Sequence, residues 1–163
     1  MVKILEKGTK DFDSMVAFAE KCSWEPGRNL AQRMIEGDVS DGTNGIPRGA
    51  IAKRASDWEI LIGDFDDNGE PRGFGVLSSS DFPQVDYLPW VGVVFVGEDF
   101  RGHRISEKLI DVMEKKAKEL GYDKIYLVTD HVNLYEKYGY EKFDTCPCPW
   151  DEKQVESLYQ KAL

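Results

Sequence analysis

The chain has 163 residues, 41% of them hydrophobic, which suits one globular domain able to bury roughly two thirds of its unfolded surface. Its 30 acidic side chains against 21 basic ones leave a formal net charge of -9, a balance that argues against non-specific binding to nucleic acid or to an anionic membrane and permits a cationic ligand. No stretch approaches the roughly 20 apolar residues of a spanning helix, and Met1 to Lys7 lacks the apolar run of a signal peptide, so a cytoplasmic protein is expected. Three cysteines, with Cys22 far from Cys146 and Cys148, fit reduced thiols better than a disulfide framework. Cys146 and Cys148 have neither a second pair nor a nearby His to complete a zinc site, and no metal is expected.

Val2 to Leu5 reads as a short strand. From Asp11 to Cys22 apolar residues fall at Phe12, Met15, Val16, Phe18 and Ala19, the spacing of an amphipathic helix. A second helix begins at Pro26, carries Leu30, Ala31, Met34 and Ile35 as its apolar stripe, and ends near Gly37. Gly37 to Gly49 is crowded with turn formers and predicts a loop of about a dozen residues. Trp58 to Phe65 and Gly73 to Ser79 are apolar strands joined through Asp66-Asp67-Asn68-Gly69-Glu70-Pro71, which predicts an antiparallel hairpin. Trp90 to Val96 is the next strand, Ile105 to Leu120 a helix closed by Gly121, and Lys124 to Thr129 a further strand, together a strand-helix-strand unit. Val132 to Tyr138 reads as a short helix ended by Gly139 and Tyr140 to Thr145 as a strand, while Gln154 to Leu163 fits either element. There is no internal repeat.

The link inside the strand-helix-strand unit carries the chemistry. After Val93-Val94-Phe95-Val96 the strand stops at Gly97, and the helical period starts at Ile105, so Arg101 to Ser106 forms a tight basic turn feeding a helix. The free N–H groups of a first helical turn, with the helix dipole behind them, attract phosphate. Arg101, Arg104 and Lys108 add local positive charge to an otherwise acidic chain. Arg104 falls in that first turn, where ordinary right-handed helical backbone is expected, and Ser106 can offer its hydroxyl to an anion.

Two motifs on this layout resemble those of the GNAT superfamily of acetyl-coenzyme-A-dependent N-acetyltransferases. One is the family's Arg/Gln-x-x-Gly-x-Gly/Ala turn after its fourth strand, matched by Arg101-Gly102-His103-Arg104-Ile105-Ser106, with Arg104 and Ser106 in place of the usual small residues. The other is a Tyr-x-x-x-Gly-Phe/Tyr segment, matched by Tyr135-Glu136-Lys137-Tyr138-Gly139-Tyr140. Their order and separation also agree. The resemblance runs from about Trp58 to Phe143 and implies a mixed α/β fold: a central, mostly antiparallel sheet opened between its fourth and fifth strands and flanked by about four helices.

The resemblance further implies a division of labour. Phe95 and Val96 would offer backbone groups to the pantetheine arm of acetyl-coenzyme A. The amides of Arg101, Gly102, His103, Arg104, Ile105 and Ser106 would hold its pyrophosphate, with Arg101 or Lys108 near that group or the 3'-phosphate. His103, inside the turn, would help to hold the anion. Tyr135 matches the tyrosine that protonates the departing thiolate in many members, and a phenol of pKa near 10 can do so at neutral pH.

The proton leaving the amine has no clear destination in the sequence. His131, at the end of the fifth strand, has a side chain whose ordinary pKa near 6.5 suits a base, with Asp81, Asp86 and Asp130 as rivals. Trp24, between the first two helices, and Trp90, at the head of the fourth strand, are candidates for lining the acceptor pocket. The expected activity is direct acetyl transfer from acetyl-coenzyme A to a primary amine of a small molecule or peptide, cationic by preference given the acidic chain. The alternative is a non-catalytic sensor of coenzyme A or acetyl-coenzyme A on the same fold. Dimerisation is common in such families and leaves a homodimer open.

Overall fold

The computed structural model describes residues 1–36, 58–79, 85–148 and 151–163. A short strand, β1 (Val2–Ile4), precedes two helices, α1 (Lys10–Glu20) and α2 (Glu25–Glu36). Three strands follow, β2 (Glu59–Phe65), β3 (Pro71–Ser78) and β4 (Trp90–Val96), then α3 (Ile105–Glu119) and β5 (Lys124–Val128). The chain ends in a hairpin of β6 (Glu141–Cys148) and β7 (Asp151–Ala162). The starts and stops have local causes: the Thr9 side chain accepts from Phe12 N to cap α1, and Gly121, at φ +89°, closes α3 in the left-handed conformation.

The seven strands form one sheet in the order β1-β2-β3-β4-β5-β7-β6. Only β4 and β5 run parallel, and they pair at two positions, Trp90 with Tyr126 and Val91 with Leu127. Strand alternation sends neighbours to opposite faces. Leu61, Phe74 and Phe95 meet Phe12, Met15, Leu30 and Met34 of α1 and α2 on one face. Ile60, Ile62, Leu77 and Val91 meet Ile105, Leu109 and Met113 of α3 on the other. Arg33 of α2 reaches Glu59 of β2 at 2.8 Å and ties that helix to the sheet.

One irregularity positions everything that follows. Phe74 pairs with Phe95 and Val76 with Gly92, so Gly75 on β3 faces both Val93 and Val94 on β4. Val93 takes φ +50°, which is costly for a β-branched residue and marks a bulge imposed by its surroundings. The extra residue resets the alternation: Val91 and Val94 both join the α3 side, while Val93 and Phe95 join the α1 and α2 side. Gly75 lies opposite it, where a Cβ would sit 2.4 Å from Met113 Cε and 3.3 Å from Val94 Cγ2, so that the flexible methionine would have to shift.

Several expectations change. The segment read as a helix from Val132 to Tyr138 is a single 3-10 turn, Tyr135–Tyr138. Left-handed residues at Asn133 (φ +62°) and Gly139 (φ +89°) bracket it and stop helical hydrogen bonding from spreading, so three α-helices flank the sheet among the described residues rather than four. The terminal segment is strand β7, held on both sides by β5 and β6. The loop expected from Gly37 to Gly49, and Asp81, lie outside the described residues. Among the described residues, no helix is long and apolar enough to cross a membrane.

Trp90 has 0% exposure and packs with Cys146 and Leu158, its indole N–H donating to Tyr87 O at 2.6 Å. Its truncation should therefore act as a core deletion. We expect Trp90→Ala to lose ~3–5 kcal/mol and to lower the thermal midpoint by about 10 °C, read by calorimetry; a shift within error of zero would show that the indole is not part of the core.

Candidate functional site

The site begins where β4 and β5 part. Past Val91 and Leu127 the two strands no longer pair, which leaves one edge of β4 open. Gly97 N donates to Arg72 O on the β3 side at 2.9 Å. Alternation therefore turns the peptide groups of Phe95 toward β3 and those of Val94 and Val96 toward the gap. Phe95, expected to offer its backbone to that edge, instead has its ring buried against Phe18 and Phe74 and its backbone paired with Phe74 in the β3 ladder, which leaves Val94 and Val96 on the gap side. Val96 O already accepts from Arg101 Nε at 3.3 Å.

Beyond Gly97 the chain makes a 3-10 turn over Glu98–Phe100 and then reverses into α3. Gly102 has φ +82°, and Arg104, the residue capping α3, has φ +57° and ψ +31°. Arg104 thus departs from the right-handed backbone expected of it, at a cost of order 1–3 kcal/mol for a non-glycine residue. The gain is geometric. No side chain caps the helix, and the amides of residues 102–107 donate to no group among the described residues; the first bond into the helix is Lys108 N to Arg104 O at 3.2 Å. Donors without protein partners at a helix start fit the phosphate chain of a nucleotide, and β4, whose pairing with β5 stops at Val91, leads into them.

The side chains around the turn are less free than the amides. Arg104 makes a two-pronged contact with Glu107, Nη2 to Oε1 at 2.6 Å and Nε to Oε2. The shared hydrogen bond raises the arginine's pKa and lowers that of Glu107. Arg101 lies 3.3 Å from Glu98, and Glu98 also accepts from the Ser23 hydroxyl in the link between α1 and α2. His103 Nδ1 sits 3.0 Å from Arg101 O and 3.2 Å from Phe100 O, so that nitrogen carries the proton and the imidazole braces the turn. Lys108 is exposed, and its charge adds to that of Arg104 in lowering the pKa of Glu107. Ile105 is buried in the α3 core, which leaves only its amide to the turn.

Across from the turn, the half-buried Tyr135 sits edge-on to Tyr138 and Tyr140, with ring centres 6.1 Å and 6.2 Å away. Burial, with a smaller contribution from Tyr138, pushes its pKa up to about 12. The phenol is therefore fully protonated at neutral pH and suited to give a proton rather than take one. The Ser106 hydroxyl lies 3.1 Å from the Tyr138 hydroxyl and bridges α3 to this tyrosine cluster.

The remaining predicted residues divide. His131 is exposed just after β5, its backbone N–H donating to Thr129 Oγ1 at 3.0 Å, and Asp130 and Asp86 are also exposed. Trp24 is 40% exposed beside Ser23, on the side of the molecule joined to the turn through Glu98. Trp90 is core, so it does not line an open cavity. All three cysteines are free and buried, which removes them as exposed nucleophiles. Val94, Glu98, Glu107 and Tyr138 escaped the sequence reading. Glu98 and Glu107, each three residues from an arginine, carried a signal in that spacing, whereas Val94 depends on a bulge and Tyr138 on a contact 32 residues away in sequence.

Comparison with solved structures places this arrangement in the N-acetyltransferase fold. An aminoglycoside 6'-N-acetyltransferase complexed with coenzyme A superposes with a TM-score of 0.65 at 14% identity, covering 99% of this chain and 96% of that one. The aminoglycoside 6'-N-acetyltransferase from Enterococcus faecium gives 0.66 at 14% identity with the same coverages. A nourseothricin acetyltransferase gives 0.53 at 19% identity over 64% of this chain and 65% of that one. Residues 28–140 match the model of the acetyltransferase (GNAT) family, and the chain belongs to that family. It is an acetyltransferase. No curated protein sequence matches the chain.

The Arg104–Glu107 pair has a measurable consequence. With its guanidinium held by a carboxylate, Arg104 contributes less to an incoming phosphate than a free arginine would. Glu107→Gln should tighten coenzyme A binding about three- to tenfold at low salt, measured by calorimetry; unchanged or weaker binding would mean that Arg104 stands outside the anion site.

Proposed function

We propose that this enzyme transfers the acetyl group of acetyl-coenzyme A directly to a primary amine of a small molecule or peptide, with a cationic acceptor preferred. The carrying observation is the run of partnerless amides at residues 102–107 set beside the open edge of β4. In this reading those amides, with Arg101, Lys108 and the Ser106 hydroxyl, take the phosphates, and Val94 and Val96 align the pantetheine arm. His103 keeps the turn in shape. The acetyl donor supplies the activated carbonyl, and the protein supplies placement, which can remove much of the entropic barrier to attack.

The amine nitrogen forms its bond to the acetyl carbon as the carbon–sulfur bond breaks. The thiolate takes a proton from Tyr135, and the amine gives one up to His131 directly or through water. Burial of Cys22, Cys146 and Cys148 supports a mechanism without an acetyl-cysteine intermediate. The net charge of -9 favours encounter with cations, and three of the structural neighbours are aminoglycoside acetyltransferases. Trp24, exposed beside the Ser23 that bonds to Glu98, is assigned to the acceptor side. Family membership favours this catalytic reading over a sensor of coenzyme A.

A free-thiol assay with acetyl-coenzyme A and a panel of polyamines, aminoglycosides and lysine peptides tests the activity. Amine-dependent release is expected with at least one cation, and release with none would shift the protein to a sensor role. In the same assay Tyr135→Phe should lower turnover about ten- to a thousandfold while leaving coenzyme A affinity close to wild type. Undiminished turnover would remove Tyr135 from the mechanism.

The pH dependence follows from the raised pKa. Tyr135 keeps its proton until about pH 12 in the folded chain, so loss of the acid should not depress kcat between pH 9 and 10.5. A basic limb in the kcat profile near pH 10 that disappears in Tyr135→Phe would contradict the burial described here. For stability the sign is the same. The unfolded phenol ionises near pH 10 and the folded one later, so the contribution of Tyr135 is complete below about pH 10 and lost as pH rises toward 12.

A further inference from the structure

Tyr138 performs no step in the mechanism above, yet its hydroxyl is placed with some specificity. A phenylalanine at that position would fill the same volume and keep the edge-on contact with Tyr135. The side chain is half-exposed, so its hydroxyl could be satisfied by water without any protein partner. Instead it lies 3.1 Å from Ser106 Oγ, 32 residues away in sequence, and Ser106 belongs to the stretch whose amides are left open for an anion. Packing alone does not account for the hydroxyl.

The contact chain is continuous. It runs from the first turn of α3 through the Ser106 and Tyr138 hydroxyls to the Tyr138 ring, and from there to the ring of Tyr135, which also meets the ring of Tyr140 edge-on. Tyr140 is fixed in its turn: it is buried, with the Lys161–Glu114 pair beside it and Lys161 Nζ 5.6 Å from its ring centre. Tyr135 thus touches one ring that is buried and another whose hydroxyl is tied to Ser106. When Ser106 Oγ donates to a phosphate oxygen, its lone pairs remain for the Tyr138 hydroxyl, which then becomes the donor. An occupied turn therefore sets the direction of the Ser106–Tyr138 bond, which either atom can donate when the turn is empty.

We propose that Tyr138 is a positioning residue that transmits phosphate occupancy of the 102–107 turn to the ring of Tyr135, so that the proton donor is set in place by the far end of the acetyl donor. This rests on Tyr135 acting as the acid. Truncated acetyl donors without phosphates would then lose turnover as well as affinity, because the group that orders the acid is missing.

The test combines a spectroscopic and a kinetic measurement on the full chain. With fluorotyrosine incorporated and Tyr135 assigned by its Phe variant, 3'-phosphoadenosine 5'-diphosphate should shift the Tyr135 resonance in wild type and leave it unmoved in Tyr138→Phe, while calorimetry shows binding to both. With the fastest amine of the panel, Tyr138→Phe should lower kcat about three- to tenfold with acetyl-coenzyme A at little change in KM, and match wild type with acetyl-pantetheine. In a Ser106→Ala background the Tyr138→Phe change should cost nothing further in kcat.

An equal loss with both thioesters, or a Tyr135 resonance that responds identically in Tyr138→Phe, would reduce Tyr138 to a structural role and overturn the proposal while leaving the acid in place. Full turnover in Tyr135→Phe would instead remove the acid itself, and the coupling with it. Absence of heat with the nucleotide in wild type would mean that the turn is not the phosphate site, which also overturns the coupling.

Discussion

Two paired positions, Trp90 with Tyr126 and Val91 with Leu127, hold β4 and β5 together, and the site exists because the pairing stops there. A parallel pair needs a crossover, and α3 supplies it by packing Leu109 and Met113 on the sheet. The helix can start close to the open edge only because the intervening chain turns sharply at Gly102 and Arg104. The bulge at Val93 lets β4 serve two masters: one stretch of it pairs with β3 and fills the core while Val94 and Val96 face a gap. Divergence, bulge and turn are three local irregularities with one result, a strip of backbone donors and acceptors left open at the centre of the sheet.

Strain is concentrated where that strip is built. Val93 and Arg104 both hold positive φ without being glycine, and each lies against an element that fixes it, Val93 against the α1 and α2 side of the core and Arg104 against its own helix. Backbone conformations of this kind persist where the surroundings over-determine them. Glycines serve a different purpose nearby. Gly73 and Gly75 on β3 are close approaches, where a Cβ would lie 2.8 Å from Phe95 O and 2.4 Å from Met113 Cε. The smooth strand thus yields to the irregular one.

The sequence made most of this legible because its signals are local. Apolar spacing located α1, α2 and α3, Gly121 marked the end of α3, and Asp66 to Pro71 marked the β2–β3 turn, where Asp66 Oδ1 accepts from Asn68 N and Glu70 N. The basic turn and the tyrosine segment also stood out, since each occupies a few consecutive residues. What was illegible depends on contacts between distant segments. No local pattern announces that Val93 will bulge, because the register shift appears only once β4 is paired with β3. The sequence offered Trp90 as pocket lining beside the commoner core reading of a strand aromatic, and only the packing of Cys146 and Leu158 from the β6–β7 hairpin decides for core. The left-handed backbone at Arg104 escaped for a related reason: side-chain identity argued for an ordinary helical residue, and chain reversal decided otherwise.

Glu98 and Glu107 give the anion turn its own internal counter-ions. Arg101 and Arg104 are already matched by carboxylates on neighbouring residues, so the turn carries little net charge of its own while its amides find no acceptor among the described residues. Binding a phosphate there is then an exchange of anions on the arginines superimposed on a fixed dipolar cradle. A site of that kind discriminates by shape more than by charge, and it releases few bulk ions when filled. Its grip on a nucleotide should vary little with ionic strength, unlike that of a basic patch, so an acidic chain can hold a polyanion without becoming a general anion binder.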